Sequence, residues 1–260
     1  MNNLADTVWI ELRKAIRSRM PWMTALGFLV MPLASAFIMF IYKDPEFAQN
    51  AGLISAKANL MAGAADWPTY LSMLAQATAI GGILLFSLVC SWVFGREFAD
   101  GTLKDLLALP VARSSILLAK FFVVAAWSAA LTMEVCIVGL VMGALIKLPQ
   151  GSFGVIFQGS ALLAITACLV IAVVLPFALF ASVGRGYLLP VGFAMLALLL
   201  ANVIATLGWG SLFPWSVPAL YAGMGGQDSH LPAISYWIVV LTGLAGMIGT
   251  DLWWRLADQG

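Results

Sequence analysis

Six long apolar stretches, separated by short polar segments, make up more than half of this chain. Each reaches the roughly 20 residues that an α-helix needs to cross the hydrocarbon core of a bilayer, which is about 30 Å thick. Only helices satisfy their own backbone hydrogen bonds inside lipid. The pattern therefore predicts an all-α integral membrane protein, one domain over 1–260 with six transmembrane helices. These run over 22–41, 71–94, 121–146, 155–182, 187–207 and 236–254.

The positions of Lys and Arg indicate the side of the membrane on which each connecting segment lies. With both termini inside, ten of the thirteen Lys and Arg residues fall in cytoplasmic segments, and only Lys43, Lys57 and Lys147 fall outside. Positive residues are retained on the cytoplasmic side during insertion. We expect a bacterial cytoplasmic membrane protein with both termini in the cytoplasm.

Two segments outside the spans carry patterns of their own. Residues 1–20 repeat apolar side chains at helical spacing and place basic ones opposite, which predicts an interfacial amphipathic helix against anionic lipid. Its apolar positions are Leu4, Val8, Leu12, Ala15 and Ile16. The external segment 209–235 is rich in Pro, Gly and aromatic residues. Two interpretations fit it: broken helices that re-enter the membrane, or an aromatic loop at the surface.

Composition excludes several classes of function. A net charge near +1 leaves no broad basic face for nucleic acid. Three cysteines without CxxC spacing and a single histidine, His230, predict no metal site and no bound cofactor. We expect no catalytic residues, since no nucleophile lies near a base in the sequence. Glycines spaced Gly139-x-x-x-Gly143 and those over 243–249 lie within spans, where close helix packing is their expected use.

The segment 96–113, between the second and third spans, is the one cytoplasmic loop long enough to form a docking element. Thr102 and Asp105 have the spacing of a capping box, and Pro110 would end the helix that they begin. Its leucines share one side at i, i+3 and i+4, forming a small hydrophobic knob. These are Leu103, Leu106 and Leu107. By composition alone, an interfacial loop fits equally well.

The same segment carries a motif that extends into the third span. It consists of Glu97, Gly101, Thr102, Leu103, Leu106, Leu107, Pro110, Arg113 and Lys120. This spacing resembles that of membrane (permease) subunits of type-2 ATP-binding cassette (ABC) exporters. The resemblance implies that 96–113 is the coupling segment, with Glu97 at the inner end of the second span. The leucines would enter the ATPase partner, and Arg113 would return the chain to the membrane.

The resemblance also implies partners for this chain. It implies separate ATPase subunits that bind ATP and Mg, and a second permease copy or paralogue that completes a dimer. The sequence has no G-x-x-x-x-G-K-[ST] phosphate loop, which agrees with a permease that is not itself an enzyme. Substrate would move outward, and drugs and peptides are among the substrates of the family. A secondary carrier or channel is the alternative function, followed by an intramembrane lipid-modifying enzyme.

One carboxylate, Glu134, falls near the middle of the third span, where an ionisable group is costly and often functional. It shares a helical face with Trp127, a pairing that would suit a cationic amphipathic substrate. In the alternative interpretation, a protonated Glu134 is hydrogen-bonded to Asn202 or Thr166 on neighbouring spans. The candidates for the substrate path are therefore Trp127, Glu134 and Asn202.

Overall fold

The computed structural model describes residues 3–44, 64–103, 111–225 and 231–256, and these residues form an all-helical bundle. A short helix, α1 (Asn3–Arg17), precedes the first span. Six segments are long and apolar enough to cross a membrane, which confirms the six predicted spans. They are α2 (Met20–Lys43), α3 (Trp67–Ala99), α4 (Arg113–Ile146), α5 with α6 (Phe153–Val174 and Phe177–Val183), α7 (Leu188–Thr206) and α9 (Ala233–Leu256).

The two longest helices extend well beyond their apolar stretches. α3 has 33 residues and α4 has 34, each about 50 Å long at 1.5 Å per residue. The carboxylate of Asp66 caps α3 by accepting the backbone N–H of Thr69 at 2.9 Å. Because α3 continues to Ala99, Glu97 lies in its last turn, and Arg113 is the first residue of α4.

The fourth span is broken at Pro176, which lacks the N–H that would continue the helix. The indole N–H of Trp215 donates to the backbone carbonyl of Val173 at 3.0 Å, close to the break. α9 approaches this point through Gly246, where a Cβ would lie 2.5 Å from the backbone of Pro176. The predicted use of the 243–249 glycines in helix packing is thereby confirmed.

α3 is the central helix of the bundle and packs against α2, α4, α5, α6 and α7. α1 packs mainly on α4. Residues Arg96, Arg113 and Arg255 lie at the same end of the bundle as α1, and we call this the basic end. At the opposite end, the Lys43 ammonium donates to the backbone carbonyl of Ile146 at 2.6 Å, where α2 and α4 both finish.

The segment predicted to be external begins with a 3₁₀ turn (Gly210–Leu212) and the short helix α8 (Val217–Tyr221). α8 packs against α5 and α3, and Val217 is fully buried. The amide of Gln76 on α3 donates to the carbonyl of Ala222 at 3.3 Å. The described part of this segment is thus fastened to the bundle, while residues 226–230 lie outside the described residues. Its position relative to a membrane stays a prediction.

α1 is helical as the sequence predicts, but only part of its predicted apolar face, with Leu12 and Ala15, meets the bundle. The residues that it buries most deeply are Glu11 and Ala15, at 6% and 3% exposure. Leu4 and Ile16, from the predicted apolar face, are exposed at 42% and 65%. The bundle therefore holds α1 partly through a carboxylate, and an interfacial role of its exposed apolar residues stays a prediction.

Candidate functional site

A buried ionic cluster joins α1, α3 and α4 at the basic end. The ammonium of Lys120 on α4 is fully buried and donates to three oxygens. These are the Glu97 carboxylate at 2.8 Å, the Val93 carbonyl at 2.8 Å and the Glu11 carboxylate at 3.2 Å. Lys14 adds a second cation, 2.6 Å from Glu11 and 3.5 Å from Glu97. Two cations and two carboxylates thus balance within one contact network.

The electrostatics favour the charged form of Glu11. Burial alone would raise the pKa of its carboxyl, since water is lost around the charge. Attraction to Lys120 and Lys14, with hydrogen bonds from both, outweighs burial and holds the pKa below the ordinary value of 4.5. The link from α1 to the bundle is therefore ionic at neutral pH.

Gly101 ends α3 just before the segment predicted to couple the chain to its partner. It has a left-handed backbone with φ of +69°, which glycine adopts without strain. The N–H of Thr102 donates to the carbonyl of Glu97 at 3.0 Å, completing a Schellman-type C-terminus. Leu103, the next residue, is 8% exposed. Residues 104–110, with the predicted Leu106, Leu107 and Pro110, lie outside the described residues.

The chain returns to the bundle at Arg113, whose guanidinium donates to the carbonyl of Trp254 on α9 at 2.8 Å. The Trp254 ring packs edge-on against Phe98 of α3, and its indole N–H donates to Ser182 of α6. Both ends of the segment 101–112 are therefore fixed to the basic end of the bundle, one through α3 and the other through α4.

A cavity of about 800 Å³ lies between α3, α7 and the segment around α8. Its walls are largely apolar, with Asn202, Thr206 and Ser216 supplying side-chain amide and hydroxyl groups. Its other lining residues include Ala79, Ile80, Ile83, Met195, Leu199, Trp215, Ala219 and Met224. Such a space suits an apolar or amphipathic molecule rather than a small hydrated ion.

The structure separates the three predicted residues of the substrate path. Asn202 lines the cavity, whereas Trp127 and Glu134 do not. The indole N–H of Trp127 donates to the Thr24 hydroxyl at 3.2 Å, and its ring packs edge-on against Trp92. Whether Trp127 and Glu134 meet substrate stays a prediction.

Glu134 makes neither of the hydrogen bonds that the alternative interpretation expects. Within the described residues it has no hydrogen-bond or ion-pair partner, and Thr166 has a buried hydroxyl without one. Asn202 faces the cavity on another helix. The intramolecular pairing proposed for a protonated Glu134 is therefore not formed in the described part of the chain.

Sequence reasoning missed the role of Glu11 in this site. The apolar repeat of residues 1–20 draws attention to Leu4 and Ile16, yet Glu11 contacts Lys120 across 109 positions. A usable signal is the carboxylate itself, placed one turn before Ala15 between the apolar residues Ile10 and Leu12. The motif contains both Lys120 and Glu97, but it does not indicate that the two side chains pair.

Comparison with known proteins identifies the family. The family model for ABC-2 family transporter proteins matches residues 7–201, which include the buried ionic cluster and both ends of the segment 101–112. The chain belongs to the ABC-2 transporter family. It is also similar to the bacitracin transport permease protein of Bacillus licheniformis, at 25% identity over 177 residues. That match covers 68% of this chain and 85% of the relative.

Membership of the ABC-2 family agrees with the six spans and with the motif at the basic end. The chain is an integral membrane protein and an ABC transporter permease subunit for export, as the sequence motif predicts. ABC-2 permeases work with an ATP-binding cassette partner, so an energy-coupling role for the segment between α3 and α4 becomes testable.

Proposed function

We propose that this chain forms half of the translocation path of an exporter in the bacterial cytoplasmic membrane. A separate ATPase subunit that binds ATP and Mg docks on 96–113, and a second permease copy or paralogue completes the path. The observation that carries the proposal is the anchoring of that segment. Glu97 and Arg113, at its two ends, are tied to the bundle through Lys120 and Trp254.

The charge distribution supports this orientation. The basic end carries Arg96, Arg113 and Arg255, whereas Lys43 and Lys147 lie where α2 and α4 finish at the other end. Because positive residues stay in the cytoplasm, the basic end faces inward. The docking segment then faces the compartment that contains ATP.

The cavity between α3, α7 and α8 is the proposed part of the path in which substrate rests. It lies near Ala222 and Met224, away from the docking segment, so a bound molecule would be close to the outside. Its apolar lining suits a substrate with a sizeable apolar part. The similarity to a bacitracin transport permease makes a peptide antibiotic the first substrate to test.

The docking proposal is tested by producing the permease with an ATPase encoded beside it. Replacing Leu106 by Asp should abolish co-purification, because a charge at a packed apolar contact costs several kcal/mol of association. Leu106→Met keeps the volume and is the matched control. Normal association and ATP-dependent transport by Leu106→Asp would contradict the docking assignment. Transport driven by an ion gradient without the ATPase would instead favour a secondary carrier.

The cavity is tested separately by filling it. Ala219→Phe places a ring in the lined space and should lower bacitracin resistance while association with the ATPase stays normal. Ala144→Phe makes the same change at an exposed position of α4 that does not line the cavity. Equal resistance in both variants would exclude this cavity from the path.

A further inference from the structure

Lys120 is the most deeply buried cation in the described part of the chain, with 0% exposure. Its three ammonium protons are all used, one each by Glu11, Glu97 and the carbonyl of Val93. These acceptors lie on two helices besides its own. A single side chain of α4 therefore holds both α1 and the last turns of α3.

Anchoring α1 to a membrane would not require this cluster. Exposed apolar side chains are enough for that task, and α1 presents Trp9, Ile10 and Ile16 at 54% to 65% exposure. Burying a carboxylate against a lysine adds desolvation, which a well-packed apolar pair would avoid. A buried ionic contact instead fixes the helices that it joins in one position relative to each other.

The elements held in this way are those that flank the docking segment. Glu97 lies four residues before Gly101, where α3 ends, and Lys120 is two turns into α4 from Arg113. α1 contributes two of the four charged groups, Glu11 and Lys14. A displacement of the ends of α3 and α4 would therefore displace α1 directly.

We propose that Lys120 clamps α1 to the two helices that carry the docking segment, with Glu11 as the positioning residue on α1. This inference rests on the proposed function, because it requires an ATPase that moves the segment 101–112. α1 then moves as one body with the ends of α3 and α4 during the ATP cycle. Since α1 runs into α2 after only Ser18 and Arg19, the movement is passed to the first span.

Charge balance provides the test. Glu11→Gln leaves one uncompensated positive charge in the cluster, and Lys120→Met leaves one negative charge, so each single variant should be destabilised. The double variant restores neutrality, with Lys14 and Glu97 still able to pair. Asp6→Asn is the matched control, since it removes an exposed carboxylate from the same helix.

Transport per ATP hydrolysed is measured for each reconstituted permease–ATPase complex at equal protein amount. The clamp predicts that the double variant regains thermal stability but that its transport per ATP stays roughly tenfold below wild type, while Asp6→Asn is normal. A cluster that only stabilises the fold predicts full recovery of transport in the double variant. That recovery would overturn the proposal.

Spin labels on a protein that keeps the ionic cluster, with Cys136 and Cys168 replaced by Ala, decide the question even if the charge variants fold poorly. Ile10, Ala99 and Val203 are exposed and lie on α1, at the end of α3, and on α7. Between the nucleotide-free and ATP-trapped complexes, the distance between Ile10→Cys and Ala99→Cys should stay constant. The distance between Ile10→Cys and Val203→Cys should change, because α7 contributes no residue to the ionic cluster. Any other pattern contradicts movement of α1 with the docking segment.

The wild-type complex separates failure of the inference from failure of the proposed function. If wild-type transport does not depend on ATP hydrolysis by the partner, the proposed function itself is wrong. If wild-type transport is ATP-dependent and the double variant matches it, only the clamp is wrong.

Discussion

The guanidinium of Arg113 donates a hydrogen bond to the backbone carbonyl of Trp254 at 2.8 Å, joining the first residue of α4 to the last turn of α9. The carbonyls of a last helical turn have no partner within the helix, and a cation beside them is favourable. One side chain thus caps the sixth span and fixes the point at which the docking segment returns to the bundle.

Replacing Arg113 by Ala should lower the free energy of unfolding by about 1 kcal/mol, because a charge-assisted hydrogen bond to a partly buried carbonyl is lost. Arg255→Ala is the matched control at the same end. Its guanidinium is 56% exposed and, among the described residues, pairs only with Asp251 one turn away, so its loss should change stability little. Thermal unfolding in detergent compares the two, and equal losses would show that the Trp254 contact adds nothing.

Gly143 provides a second, sharper test of the packing. A Cβ on this residue would lie 2.6 Å from the six-membered ring of Trp67, on a helix pair that is also joined by the Tyr70 hydroxyl and the Gly139 carbonyl. Gly143→Ala should therefore destabilise the protein by about 1 to 3 kcal/mol, the usual range for overpacking. Thermal unfolding in detergent is the measurement.

The control is Gly154→Ala, because nothing lies within 4 Å of a Cβ at that helical position. It should leave stability unchanged or raise it slightly, since Ala favours helix over Gly. Combining Gly143→Ala with Trp67→Leu should recover part of the loss by removing the ring. A Gly143→Ala protein as stable as wild type would contradict the close approach of α3 and α4.

The six spans could be predicted from the sequence because lipid permits few solutions. An apolar stretch of sufficient length must be helical, and the first polar residues on either side mark where the span ends. The ends of α3 and α4 were harder, since both helices continue into polar sequence as far as Ala99 and from Arg113. No local pattern of hydropathy marks how far a helix continues past its apolar stretch.

The sequence could predict only those residues of the site that belong to a local motif. Glu97, Arg113 and Lys120 are found by their motif, and Gly101 lies where a helix can end. The contact between Glu11 and Lys120 joins residues 109 positions apart, and their pairing depends on how α1 lies across α4. The cavity is formed by three separate parts of the chain, so its position follows from packing rather than from any one segment.

The pH dependence of stability should reveal the state of Glu11. Its pKa is lowered in the folded protein, so the carboxylate contributes stability above its ordinary value of 4.5, and that contribution is lost as pH falls through the lower folded value. Lys120, Lys14 and Glu97 are the charged groups that face it.

The measurement is the melting temperature of wild type minus that of Glu11→Gln, taken at several pH values above and below 4.5. Wild type should be more stable at neutral pH, and the difference should shrink below pH 4.5 as Glu11 binds a proton. Asp6→Asn, measured at the same pH values, is the control for loss of an exposed carboxylate from the same helix. A difference that grows on acidification would mean that the folded protein raises the pKa instead.

Glu134 provides the last prediction, because it is a carboxylate in the third span without an intramolecular partner among the described residues. A carboxylate held in a membrane without a partner is expected to serve a ligand or a neighbouring subunit.

Glu134→Gln keeps size and hydrogen-bonding capacity and removes the charge, whereas Glu134→Leu removes both. If the charge attracts a cationic substrate, both variants should fold and both should transport it less at matched protein amount. If the residue only forms a hydrogen bond to another helix or subunit, Gln should transport as wild type and Leu alone should differ. Wild-type transport of a cationic peptide by Glu134→Gln would therefore remove Glu134 from the substrate path, while the docking of the ATPase on 96–113 would be unaffected.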